Sequence, residues 1–299
     1  MIQTLIILSI DAMILYMMVP FILTRICGLG VLSKGKVAKG IAFTFDDGPD
    51  PCYTPELLDL LQEHEVKATF FVLGSKAEKN PELIQRMYLE GHQIGIHNYI
   101  HKSNWILSPW RSRREQADRT ADIVESITGE RPTYYRPPWG LLNLGDLLLM
   151  RKSYRIVLWS VMVGDWKPSV SSEQLKRSLL KRIKPGSIVV LHDSGDTLGA
   201  DEGAPRHMIT GLKEVLKSIH RKGFDCLRAD ELLDKGAEGK VRGARCVAAA
   251  WRLSNPSNDG WSLTVHEEKN IVYLASNHRF SQRQSATGNL KNRQEDFSS

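Results

Sequence analysis

From Gly40 onward, short apolar runs alternate with stretches whose apolar residues recur at helical spacing. Gly40–Phe45 (Gly-Ile-Ala-Phe-Thr-Phe) is apolar and rich in β-branched and aromatic residues, which reads as a buried strand. Residues Pro55–Glu65 follow with helical spacing, Thr54 as N-cap and Pro at the first helical position. The alternation continues through strand Lys67–Leu73, helix Pro81–Glu90 stopped at Gly91, and strand Gln93–Ile96. Next come helix Trp110–Thr128 closed by Gly129, strand Tyr134–Arg136, helix Asn143–Lys152 and strand Ile156–Ser160. Helix Ser172–Ile183, strand Ser187–Leu191, helix Pro205–Lys222, strand Phe224–Leu227 and a helical turn Ala229–Leu233 complete the series. Seven such units within about 200 residues predict an α/β fold with a largely parallel sheet closed as a barrel.

The two ends of the chain break this pattern. Residues 2–23 are apolar apart from Asp11 and a few hydroxyl and amide groups, about the length that spans a bilayer. The stretch before them carries no basic residue and no small-x-small cleavage site follows, so an uncleaved anchor is favoured over a signal peptide. Residues 1–24 are therefore read as a membrane anchor and 25–38 as a linker. The repeating domain occupies 39–235, and 236–299 form a polar tail with a hairpin at 261–275 and a disordered end from Ser281. The 299 residues are 42% hydrophobic and 25% charged, ordinary for a globular chain, with a net charge of +6. No run of interleaved basic and aromatic residues marks a nucleic-acid module. The four cysteines show no C-x-x-C spacing, so neither a zinc ribbon nor a disulfide framework is indicated. Nothing in the sequence sets an oligomeric state.

The chemistry lies at the C-terminal ends of the strands, where active sites of such barrels sit. The first strand ends in Asp46-Asp47, the third in His97 and His101, the fourth in Arg136-Pro137-Pro138-Trp139-Gly140. The fifth is followed by Asp165-Trp166, and the sixth ends in His192-Asp193. Each group alone has an ordinary explanation as a solvated turn, a surface charge or a satisfied core histidine; their joint placement does not. Two adjacent carboxylates need positive charge nearby. Neighbouring residues of an extended chain point to opposite sides, so Asp46 and Asp47 are read as one ligand and one proton acceptor. His97 and His101 share a face only if the segment is helical or turns sharply. Two imidazoles and a carboxylate are a common ligand set for zinc and similar ions, with positions left open.

Taken together, these strand ends resemble the polysaccharide deacetylases with a NodB-homology domain, the family 4 carbohydrate esterases. The resemblance spans about Lys39–Leu233. It rests on Thr44-Phe45-Asp46-Asp47-Gly48-Pro49, His97–His101, Arg136–Gly140, Asp165-Trp166 and Val190-Leu191-His192-Asp193, in that order. It implies a deformed (β/α) barrel, often of seven strands, that removes N-acetyl groups from an N-acetylglucosamine-containing glycan such as peptidoglycan or a chitin-like oligomer. By the same resemblance Asp47, His97 and His101 bind a divalent metal, zinc foremost, with cobalt, nickel or manganese as alternatives. Asp46 is then the base, held by Arg136, and His192 the acid, oriented by Asp165. The Trp139 backbone N–H helps bind the oxyanion, and Trp166, Val190 and Leu191 line the acetyl pocket. Two positions depart from the family pattern: Asn98 replaces Ser or Thr, which bears on metal preference, and Trp139 replaces Tyr, which bears on substrate fit.

The resemblance favours a domain on the outer face of the membrane. The basic residues Arg25, Lys34, Lys36 and Lys39 after the span favour the cytoplasmic face instead. Two rivals to a cell-wall deacetylase therefore stand beside it: a deacetylase of a lipid-linked sugar at the cytoplasmic face, and a non-catalytic membrane-anchored glycan-binding protein.

Overall fold

The computed structural model describes residues 2–234 and, in the tail, the strand residues 261–266 and 271–276. The chain divides into two compact units, Met1–Glu238 and Gly239–Ser299. In the second, Trp261–His266 pairs antiparallel with Ile271–Ser276. The polar stretch from Ser281 lies outside the described residues.

The first unit opens with helix α1 (Ile2–Phe21), continued as a π-helical turn over Ile22–Ile26. Its residues Ile6, Ile7, Leu8, Met13 and Leu15 are exposed. Ile6–Ile26 forms the one segment among the described residues long and apolar enough to cross a membrane. The remaining elements in order are β1 (Gly40–Asp46), α2 (Thr54–Glu63), β2 (Thr69–Val72), α3 (Gly74–Ala77), α4 (Pro81–Leu89) and β3 (Gln93–Ile96). Then come α5 (Pro109–Arg111), α6 (Arg119–Thr128), β4 (Tyr134–Tyr135), α7 (Leu144–Met150), β5 (Arg155–Ile156) and β6 (Val161–Met162). The unit closes with α8 (Ser172–Arg182), β7 (Ile188–His192), α9 (Ala204–Arg221) and β8 (Asp225–Cys226).

All strand pairs of this unit are parallel, in the order β5-β4-β3-β2-β1-β7-β6, with β8 paired to the start of β1. The two ends of that path, β5 and β6, are neighbours in the chain, so residues 157–160 carry the chain from one edge of the sheet to the other. The sheet thereby curls into the deformed barrel. The expected fifth strand over Ile156–Ser160 is thus two short strands: Val157 N–H bonds Tyr135 on one side and Ser160 N–H bonds Ile188 on the other. Leu32 fills part of the gap through hydrogen bonds with Ile156 and Leu158.

Alternation along each strand divides the core. Phe43, Phe45, Phe70, Val189 and Leu191 pack against α2, α8 and α9, while Ala42, Phe71, Tyr134, Val157 and Ile188 form a second cluster on the other face of the sheet. Full burial of such side chains contributes on the order of 1.5–3 kcal/mol each. Two local expectations change. Thr54 is the first helical residue and not the N-cap, because Tyr53 is already near helical geometry; its hydroxyl accepts from Asp50 N–H and donates to Asp193. The single helix expected over 110–128 begins as α5 and passes through a π-helical stretch, Ser112–Asp118, before α6. Register then sets the site: Asp46 lies beside His192, and Ile96 beside Tyr135, so the residues after each pair emerge together.

Candidate active site

The Asp46-Asp47 pair divides at the end of β1. Asp46 keeps strand geometry, and Asp47 turns away with φ 76°. Gly48 follows because a Cβ there would lie 2.2 Å from a carboxylate oxygen of Asp193. Asn98 (φ 68°) and Trp139 (φ 55°) are also left-handed. Such geometry costs about 1–3 kcal/mol per residue and persists only where the surroundings over-determine it. Asn98 is held by a hydrogen bond from the Tyr135 hydroxyl to its Oδ1 and by its own bonds to Lys102 O and Asn104 Oδ1. This turn, not a helix, brings His101 back beside His97, with ring centroids 5.3 Å apart.

Asp47, His97 and His101 converge, each offering an atom within 4.8 Å of the others. Asp47 Oδ1 lies 3.3 Å from His97 Nε2 and 3.4 Å from His101 Nε2, yet it is buried without a hydrogen-bond partner. The reason is the other ring nitrogen. His97 Nδ1 sits 2.7 Å from the carbonyl of Arg136, so a neutral ring carries its proton there and turns its Nε2 lone pair toward the carboxylate. Acceptor faces acceptor, and a cation is what resolves that opposition. Burial lowers His101 to about 4, outweighing the attraction of Asp47, so this ring is also a neutral donor ligand. Burial pushes the Asp47 carboxyl up, and the positive charge of His192 is among the influences that pull it below the usual carboxylate range. The donor set fits a divalent metal with open positions.

Asp46 faces the other way. Its Oδ1 accepts from Arg136 Nη1 at 2.7 Å, and the same nitrogen donates to Thr44 Oγ1. The fully buried guanidinium also donates to the carbonyls of Val157 and Leu158 and lies 4.1 Å from the Phe71 ring centroid. Burial lowers the Arg136 pKa, the Asp46 charge opposes that, and arginine stays cationic. Opposite Asp46, His192 is fixed by Asp165, whose Oδ2 accepts its backbone N–H at 2.7 Å and lies 3.2 Å from its Nδ1. Burial disfavours the imidazolium, but Asp165, and more weakly Asp47 and Asp46, raise His192 to about 10. The Trp139 N–H makes no hydrogen bond among the described residues.

These groups open on one cavity of about 260 Å³, lined also by Trp139, Trp166, Met162 and Val190. Leu191 does not reach it: one residue on from Val190, it points to the opposite face and packs with Phe43 and Phe45. Several lining residues are not among the expected site residues, Thr197, Trp159 and Arg25 among them. Thr197 donates to Asp47 Oδ2 at 2.8 Å from a loop without periodicity. Trp159 lies in the connection between β5 and β6, and Arg25 comes from the end of the apolar helix.

The profile of the polysaccharide deacetylase family matches residues 33–152. A peptidoglycan N-acetylglucosamine deacetylase of Bacillus cereus is 40% identical over 67% of this chain and 70% of its own length. A peptidoglycan N-acetylmuramic acid deacetylase of Bacillus subtilis is 34% identical over 65% of this chain and 38% of its own. Among solved structures, a peptidoglycan N-acetylglucosamine deacetylase in complex with a naphthyl N-hydroxybenzamide superposes with a TM-score of 0.64 at 31% identity, covering 71% of this chain and 96% of that one.

Proposed function

We propose that this chain, which belongs to the polysaccharide deacetylase family of amide hydrolases, removes N-acetyl groups from an N-acetylglucosamine-containing glycan of the peptidoglycan type. The observation that carries this reading is the pairing of two unlike carboxylates in one cavity. Asp47 faces the Nε2 atoms of two imidazoles, while Asp46, its neighbour, faces a buried arginine. Asp47, His97 and His101 hold the metal, zinc being the simplest fit to two imidazoles and a carboxylate. When bound, the ion acidifies water and polarises the acetamido carbonyl. Asp46, held by its ion pair with Arg136, takes the proton from the attacking water. His192, kept as imidazolium by Asp165, returns a proton to the departing amine. The Trp139 N–H is a free donor for the developing oxyanion, and Trp166 and Val190 enclose the acetyl methyl. No acyl-enzyme is needed.

The apolar helix serves as a membrane anchor, with the catalytic domain at the outer face where cell-wall glycans lie. The relatives' names, which specify peptidoglycan, support that side. The test is acetate release by the zinc-loaded full chain from peptidoglycan or N-acetylated chito-oligosaccharides. Asp46→Asn is expected to lower kcat by about 10²–10⁴-fold, the range for general acid–base catalysis, while bound zinc stays at the wild-type level. Unchanged release in that variant rejects the assignment of the base. No release from any N-acetylated glycan by the zinc-loaded wild type rejects the function and favours a glycan-binding role.

A further inference from the structure

With a metal held at Asp47, the catalytic cavity would contain one more cation than its carboxylates pair with. Asp46 has Arg136, Asp165 has His192, and Asp47 faces the metal position. Arg25 lines the same cavity with no hydrogen bond or ion pair among the described residues. Its guanidinium lies 4.0 Å from the Trp159 ring centroid, and a Cβ at Gly140 would lie 2.8 Å from Arg25 Nη2. Glycine at 140 therefore leaves room for the arginine to enter. The segment bearing it is docked and not loose. Thr24 is buried, Leu23 packs on the cluster around Tyr135, and further back the Tyr16 hydroxyl donates to Asn143 Oδ1 at 2.9 Å. A half-buried guanidinium held over an indole costs little further entropy to fix, and its N–H fork suits bidentate binding of phosphate.

We infer that Arg25 is an anion subsite of the active-site pocket, so that the N-acetylated sugar deacetylated here carries a phosphate within reach of its reacting acetamido group. The inference rests on the deacetylase reading of the pocket and replaces the polymeric substrate of that reading with a phosphate-bearing N-acetylated sugar. It makes the end of the apolar helix part of the substrate site, beyond any role as an anchor.

The experiment uses the full-length, zinc-loaded chain in detergent micelles and in vesicles. Three sugars are compared: methyl N-acetylglucosaminide, N-acetylglucosamine 1-phosphate, and a polyprenyl-diphosphate-linked N-acetylglucosamine. The wild type is expected to favour the phosphorylated sugars in kcat/KM, and Arg25→Gln to reduce that preference at least tenfold, through KM. Arg25→Lys restores part of it, since the charge returns without the fork. A preference shared by both phosphorylated sugars assigns a bare phosphoester as ligand; one confined to the lipid-linked sugar assigns the membrane-borne form. Quenching of tryptophan fluorescence by N-acetylglucosamine 1-phosphate reads binding without turnover. Saturable quenching lost in Arg25→Gln supports the subsite even if no acetate is released, in which case the deacetylase reading alone fails. Acetate release with equal preference in wild type and Arg25→Gln overturns the subsite and leaves the deacetylase standing.

Discussion

Strand β3 has a buried histidine just beyond each end, and the two are wired in opposite senses. At the start, His92 Nδ1 accepts the backbone N–H of Ala68 at 3.1 Å. A neutral ring there carries its proton on Nε2, which faces Glu90 Oε2 at 3.6 Å. The charges are complementary, but at this distance no hydrogen bond forms and both atoms are without a partner; the ring packs edge-on to Phe70. At the other end His97 gives its Nδ1 proton to a carbonyl and turns a lone pair on Asp47. Both histidines are buried beside a carboxylate, so burial and neighbour type do not tell them apart. The backbone partner does. A histidine pinned by an amide N–H ends a structural network, whereas one pinned by a carbonyl and aimed at a carboxylate leaves a place for a cation.

The same substitution at the two ends gives the largest expected contrast. In His97→Gln the ring nitrogen that completes the Asp47–His101 set is lost. Acetate release is expected to fall by at least about 10³-fold, since both water activation and carbonyl polarisation go with the ion, and zinc content after dialysis should drop in parallel. A variant that keeps its zinc and its rate would break the comparison at its root.

A smaller effect tests His192. In Asp165→Asn the carboxylate that raises His192 is gone, so its pKa falls from about 10 toward and below its ordinary value. The acid form is present below that pKa and is lost as pH rises through it. The alkaline limb of kcat/KM is therefore expected to move to lower pH by at least about one unit, with a loss of roughly 10–100-fold at pH 8. Zinc content should not change. An unmoved limb would mean that His192 is not the acid that Asp165 tunes.

How much of this was legible in the sequence follows from how local each feature is. The β1 apolar run, the polar groups at the strand ends and the parallel α/β class depend on period and position, and they were read. Strand alternation predicts that Asp46 and Asp47 part, but the left-handed turn at Asp47, just past the strand, is what parts them. Leu191 shows where the same rule was not applied: the motif placed it in the pocket, but its neighbour Val190 takes that side. The division of the fifth strand was not readable, because Val157–Ser160 stays apolar while it changes partner from Tyr135 to Ile188. Arg25 was seen only as a basic residue after the span; its entry into the cavity depends on the docking of Leu23 and Tyr16, more than a hundred residues from their partners. Thr197 belongs to a loop whose path no pattern encodes.

The mildest prediction returns to the structural end of β3. In His92→Gln the amide oxygen can still accept the Ala68 N–H, so only the ring contact with Phe70 is lost, a cost of about 1 kcal/mol at pH 7.5. Acetate release should stay within twofold of wild type. The pH dependence carries the sharper signal. Burial, with Lys67, Arg86 and Arg228, lowers His92 to about 4 in the folded chain, against about 6.5 when unfolded. The stability of a neutral buried ring is fully present above pH 6.5 and is lost as pH falls toward 4, by roughly 3 kcal/mol in all. Glutamine does not titrate, so the variant skips this loss. Thermal unfolding should show His92→Gln slightly below wild type at pH 7.5 and level with or above it near pH 4.5. If the two curves stay parallel across that window, His92 is not the neutral, proton-refusing ring that its Ala68 bond implies, and the contrast with His97 loses its structural half.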